Sequence, residues 1–147
     1  MIRVQAHTTI ACPPARVFAI LDDFARAPEW NERCVAIEEA SDGARAPGAK
    51  LRYRYRYRDK GREGEIAGEI SEHERDRTLA MRFGDHAFDI RVRFDLAPDG
   101  GGTRLVHAAE IDTKTLVVKL MSPVLRAVAR RQTDAIVDKL REIAEAP

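Results

Sequence analysis

One histidine and three tyrosines are the residues of this chain best placed to do chemistry. Along Leu105, His107, Ala109 and Ile111 the period-two alternation puts the imidazole of His107 on an apolar strand face, opposite Val92 of the preceding strand. A neutral imidazole in such a place orients a hydroxyl or carbonyl, or acts as a general base where its pKa stays near neutral. The phenols come from LRYRYRYRDKGREGEIAGEI, residues 51–70, where Tyr53, Tyr55 and Tyr57 alternate with Arg52, Arg54, Arg56 and Arg58. A phenol and an imidazole facing one cavity suffice to move a proton beside a carbonyl, or to recognise the polar head of an apolar ligand. Packing alone also accounts for both, with the imidazole satisfied by a tyrosine hydroxyl or a backbone carbonyl.

Other chemistries find no residues to carry them. No Ser/His/Asp constellation, metal set or phosphate loop is present, and Gly100-Gly101-Gly102 precedes a strand instead of a helix. Cys12 and Cys34 lack metal-type spacing and read as free thiols. Neither a cofactor nor a metal is expected. Charged residues make up 33% of the chain yet balance to a formal +1, so no basic field argues for nucleic acid. The first residues lack a signal-peptide core and no apolar run is long enough to span a bilayer, which predicts a cytoplasmic protein. At 147 residues the chain forms one domain, residues 1–147. Monomer and homodimer both remain open.

The elements that must position these groups are mostly strands. Residues 51–70 read as a hairpin, and charge suggests its register: Arg58 opposite Glu63, Arg56 opposite Glu65, Arg52 opposite Glu69. The other face then pairs Tyr57 with Gly64, Tyr55 with Ile66 and Tyr53 with Gly68, glycines that leave room for rings to lie over the sheet. The same logic continues with a turn at 73–76 flanked by Glu72 and Arg77, with Phe83 opposite Phe88 and Arg82 opposite Asp89, and with Phe94 opposite Leu105 and Asp95 opposite Arg104. Before the hairpin come a strand at Ile2–Ile10, a helix at Pro14–Phe24, a short turn or helix holding Trp30, and a strand beginning at Val35. After the sheet the period changes. Leu125, Ala129, Ile136, Leu140 and Ile143 form one helical stripe with Val124 and Val128 beside it, starting at a Ser122-Pro123 cap. Leu116–Met121, with Lys114 and Lys119, reads as the start of helix packing on the sheet; a lid or a transient membrane contact is the alternative. His73 and His86 fall in turns and are expected to be solvated.

A sheet with one apolar face and a single amphipathic helix must close around that helix. TIACPPARVFAILDDFARAPEW, GGGTRLVHAAEI and the long terminal helix together resemble the superfamily of START-related, pollen-allergen-like and polyketide-cyclase-like (SRPBCC) domains. The resemblance covers essentially the whole chain and is specific for fold more than function. It implies an α+β helix-grip fold, a curved antiparallel sheet of about seven strands wrapped around a long C-terminal helix, with two short helices after the first strand. It also implies a cavity between sheet and helix. The expected lining is Tyr55, Tyr57, Ile66, Met81, Phe83, Phe88, Ile90, Val92 and His107, with Met121, Val124, Leu125 and Val128 from the helical segment. Tyr53 falls nearer the packed end and Trp30 near the mouth. Three readings follow: a carrier of a hydrophobic small molecule (lipid, quinone or polyketide-like), a polyketide cyclase or dehydratase using His107 with Tyr55, and a protein-interaction module whose cavity is filled.

Overall fold

The computed structural model describes residues 1–56 and 61–147. Tyr57 and Arg58, with the pairings expected of them, lie outside the described residues. Strand β1 (Ile2–Ile10) leads into helix α1 (Pro14–Asp22), a 3₁₀ turn (Phe24–Arg26) and helix α2 (Ala27–Trp30). Strands β2 (Cys34–Glu39), β3 (Lys50–Arg56), β4 (Glu63–Glu74), β5 (Thr78–Gly84), β6 (Phe88–Asp99) and β7 (Gly102–Thr113) follow, then helices α3 (Leu116–Leu120) and α4 (Ser122–Glu145). All seven strands form one antiparallel sheet in the order β1-β7-β6-β5-β4-β3-β2. The sheet is curved around α4, which is the helix-grip architecture expected from the sequence.

Period-two alternation makes each strand two-faced, and the inner faces are apolar. Val4, Ala6 and Ile10 of β1, Leu79, Met81 and Phe83 of β5, and Phe94 and Leu96 of β6 are all buried. Each fully buried side chain of this size contributes about 1.5–3 kcal/mol. The C-terminal half of α4 supplies Ile136, Val137, Leu140 and Ala144 to the same core as Phe18 and Leu21 of α1. Its N-terminal half places Ala129 against Ile2, Val4 and Ala109, with Leu125 packed alongside. Its C-terminal end is fastened to the N-terminal region, where Arg16 donates to the Ala144 carbonyl (2.8 Å) and the Ala146 carbonyl (2.9 Å), and the start of β7 is tied to the same region by the Thr103 hydroxyl, which donates to the Cys12 carbonyl (2.7 Å).

The faces agree with the sequence reading, but the registers do not. Each hairpin is displaced by two residues from the expected pairing. Tyr55 lies opposite Gly64, Tyr53 opposite Ile66 and Arg56 opposite Glu63. Phe83 lies opposite Ile90, and Met81 opposite Ile70 until an irregularity between Ile70 and Glu72 shifts the ladder. Phe94 lies opposite His107 instead of Leu105. The turns are responsible. Gly100 and Gly101 both have positive φ (56° and 88°), so a two-residue turn joins Asp99 directly to Gly102. At the β5–β6 turn the Asp85 carboxylate accepts from the backbone N–H groups of Ala87 and Phe88, both at 2.8 Å, which starts the ladder at Gly84–Asp89.

Three smaller expectations are corrected. The first helix ends at Asp22, because Asp23 caps the following turn by accepting from Ala25 N–H (3.2 Å). Ser122 is the first residue of α4 and does not cap it; its hydroxyl donates to the Lys119 carbonyl (2.7 Å). His73 is in β4 and half-buried, with Nε2 2.9 Å from Asp22 Oδ1 and its ring edge-on to Phe18. His86 is exposed. No helix is long and apolar enough to cross a membrane among the described residues.

Candidate functional site

His107 is brought inward by β7 and is 2% exposed. Its ring stacks on Phe94, with centroids 4.1 Å apart and planes 5° from parallel, because the two residues are direct cross-strand partners. Nδ1 lies 3.0 Å from the Arg93 carbonyl. A carbonyl only accepts, so Nδ1 carries the proton and Nε2 presents a lone pair. Burial, only partly offset by that hydrogen bond, pushes the imidazole pKa down to about 4. The ring is therefore neutral at physiological pH, an acceptor at Nε2 and a weak base.

Trp30, at the end of α2, meets the other side of this group. Its indole lies edge-on to Phe94 with centroids 5.6 Å apart. It is 4% exposed, and Nε1 has no hydrogen-bond partner among the described residues. An orphaned buried donor costs about 1–3 kcal/mol, so its presence calls for an acceptor that the described residues do not supply.

Beside it, Asn31 joins three elements. Its Nδ2 donates to the Tyr53 hydroxyl (3.3 Å), and its Oδ1 accepts from Arg33 N–H (3.2 Å) and from Gln132 Nε2 of α4 (3.3 Å). Burial chiefly, and the nearby Cys34, push the Tyr53 phenol up to about 12, so it stays protonated. Burial likewise pushes the Cys34 thiol up to about 11, which leaves it no nucleophilic thiolate. Asn31, Gln132 and Phe94 were not singled out from sequence as site residues. Gln132 had a signal, since it sits between Ala129 and Ile136 at helical spacing on the buried stripe. Asn31 had none, because the partners that make it a site residue, Tyr53 and Gln132, are distant in sequence.

The other expected lining residues distribute as follows. Ile66, Met81 and Phe83 are buried in the core, while Phe88, Ile90 and Val92 are half-buried along the same face. Tyr53 contacts both Tyr55 (5.7 Å) and Phe83 (5.4 Å) ring to ring. Tyr55 lies over Gly64, where an added Cβ would stand 2.6 Å from its ring. His107 and Tyr55 are on β7 and β3, with β6, β5 and β4 between them in the sheet. Leu125 and Val128 are partly buried, whereas Met121 and Val124 are 49% and 53% exposed.

Two clefts border this region. One of about 340 Å³ runs along β1 and β7 beside Arg130 of α4. The other, of about 200 Å³, opens between α2 and α4, lined by Trp30, Asn31, Gln132, Ile136 and Lys139 among others. The second reaches the Trp30–Asn31–Gln132 group from outside.

A family model described as polyketide cyclase / dehydrase and lipid transport matches residues 1–145. Among solved structures, the Zhui aromatase/cyclase from Streptomyces sp. R1128 superposes with a TM-score of 0.81 at 16% identity, over 97% of this chain and 93% of that one. A START superfamily protein from Mycobacterium smegmatis gives 0.78 at 17% identity, over 97% of each chain. Ara h 8.0201 gives 0.67 at 15% identity, over 97% of this chain and 96% of that one. At these identities the likeness is one of fold. No curated protein matches.

Proposed function

The chain belongs to the polyketide cyclase, dehydrase and lipid-transport family, and we propose that it binds a small apolar molecule bearing a hydrogen-bond acceptor, held where α2 and α4 meet the concave sheet face. One observation carries this reading: the buried, unpartnered indole N–H of Trp30, whose ring shares Phe94 as a neighbour with the neutral imidazole of His107. A carbonyl or phenol oxygen on the ligand satisfies the indole N–H. A hydroxyl on the same ligand finds an acceptor in His107 Nε2. The α2–α4 cleft, at about 200 Å³, is below the roughly 300 Å³ at the lower end of usual ligand pockets, which favours a ligand of one or two rings at that mouth. Recognition suits these groups better than acid–base catalysis, because the imidazole is held far below neutrality and the Tyr53 phenol well above it.

The only tryptophan in the chain reports on this site. Titration with 2-acetylnaphthalene should change Trp30 emission saturably. By calorimetry, Trp30→Phe should weaken binding of that ketone about tenfold, the worth of one hydrogen bond, and leave binding of naphthalene unchanged. The bare variant should be no less stable than the parent in urea, since the orphaned donor is gone. Equal affinity of parent and variant for the ketone, or no saturable binding and no co-purifying small molecule by native mass spectrometry, sinks the reading.

A further inference from the structure

Besides Met1, every large apolar side chain that stands exposed among the described residues lies in one segment. Leu116 is 74% exposed, Val117 70%, Leu120 76%, Met121 49% and Val124 53%. They recur at i, i+1, i+4, i+5 and i+8, a single stripe running from α3 into the first turn of α4. None of the residues of α3 is buried, so the helix adds nothing to the core. It is nevertheless held in place: Thr115 caps it by accepting from Val118 N–H (3.3 Å), and Lys114 N–H donates to the Ala87 carbonyl of the β5–β6 turn (2.9 Å).

The charge around the stripe has one sign. Residues 113–131, TKTLVVKLMSPVLRAVARR, contain Lys114, Lys119, Arg126, Arg130 and Arg131 and no Asp or Glu. On the adjoining strand and turn, the Asp112 carboxylate is engaged with Arg91 (3.3 Å) and that of Asp85 with two backbone N–H groups. A second copy of the chain seated on this stripe would bring two cationic rims together, which like-charge repulsion disfavours. An anionic lipid surface meets both demands, accepting the apolar stripe below the headgroups while phosphates face the lysines and arginines.

We propose that the α3–α4 corner docks on the surface of an anionic bilayer, with Leu116, Val117, Leu120, Met121 and Val124 entering the headgroup boundary. This does not depend on what the interior binds. The test is flotation of the full chain with vesicles of phosphatidylcholine, with and without phosphatidylglycerol. Binding should require the anionic lipid and weaken at high salt. Val117→Gln with Leu120→Gln should lower it about tenfold or more, and Lys119→Glu with Arg126→Glu should abolish the preference for phosphatidylglycerol. These side chains are exposed, so thermal unfolding and 2-acetylnaphthalene binding should stay at parent values in both variants. Absence of binding to phosphatidylglycerol vesicles overturns the proposal, as does binding that neither variant changes. So does a concentration-dependent dimer that Val117→Gln/Leu120→Gln dissolves while vesicle binding is missing.

Discussion

Acidification from pH 7 to about 4 should cost this protein about 3 kcal/mol more stability than it costs a His107→Gln variant. In the unfolded chain the imidazole titrates near 6.5, whereas in the folded protein burial holds it down to about 4. Below 6.5 the unfolded state therefore takes up a proton that the folded state refuses. Stability is unaffected by this group above that pH, falls as pH drops from about 6.5 to 4, and levels off below. The sign is opposite to that of a histidine gaining an acidic partner, because here nothing compensates the charge. At 2% exposure the ring has no solvent screening to soften the effect. Carboxylates add their own acid loss, but they are common to both proteins and cancel in the comparison. Glutamine keeps a donor for the Arg93 carbonyl. Urea unfolding of both proteins at stepped pH measures the difference, and parallel losses would mean that His107 is not neutral and buried in solution.

How that imidazole comes to sit on Phe94 shows what the sequence could specify. The faces were legible for most of the sheet, because an inward charge or an outward run of Leu and Phe would break the period of two, but not where irregularities between Cys34 and Ala36 and between Ile70 and Glu72 reset the alternation and bring His73 against Phe18. Register was not. A slip of two residues leaves every side chain on its own face, so the apolar pattern cannot distinguish the two pairings. Charge pairing fails for a related reason: arginine is long enough to reach diagonally. Arg52 pairs with Glu65, although the residue opposite it is Ala67, and Arg82 still reaches Asp89 (3.4 Å) while lying opposite Arg91. Turn geometry settled the matter, through two positive-φ glycines at 100–101 and a side chain, Asp85, that holds two backbone N–H groups. The consequence reached the site, since the slip replaced Val92 by Phe94 as the partner of His107. Trp30 was expected near the cavity mouth, but its unpartnered N–H was out of reach: an indole without a partner is defined by the packing around it, which leaves no local pattern, and the same holds for the bonds Asn31 makes to Tyr53 and Gln132. Rings do lie over the glycines of β4, but not the expected rings: Tyr55 covers Gly64 and Phe83 covers Gly68, while Tyr53 lies opposite Ile66.

That last device predicts a large single-methyl effect in the sheet. Gly68→Ala should destabilise the protein by about 3 kcal/mol, the upper end for overpacking, whereas Gly64→Ala should cost about 1 kcal/mol or less. At Gly64 a new Cβ meets the Tyr55 ring, whose nearest atoms are 2.6–2.8 Å away and lie at the far end of a side chain that can swing. At Gly68 it falls inside contact distance of the Phe83 ring and also of the Arg82 carbonyl oxygen, which belongs to the β5 backbone. The ring can be removed but the carbonyl cannot. Phe83→Ala in the Gly68→Ala background should therefore recover only part of what is expected if the ring were the whole obstacle, and a double-mutant cycle by urea unfolding measures that part. Equal costs at the two glycines would show that β4 and β5 can separate to admit the methyl. The site has a stake in the result, because Phe83 packs on Tyr53, and Tyr53 accepts from Asn31 next to the Trp30 indole. Pushing Phe83 off Gly68 should therefore weaken binding of 2-acetylnaphthalene as well as stability, while Gly64→Ala should leave binding close to that of the parent.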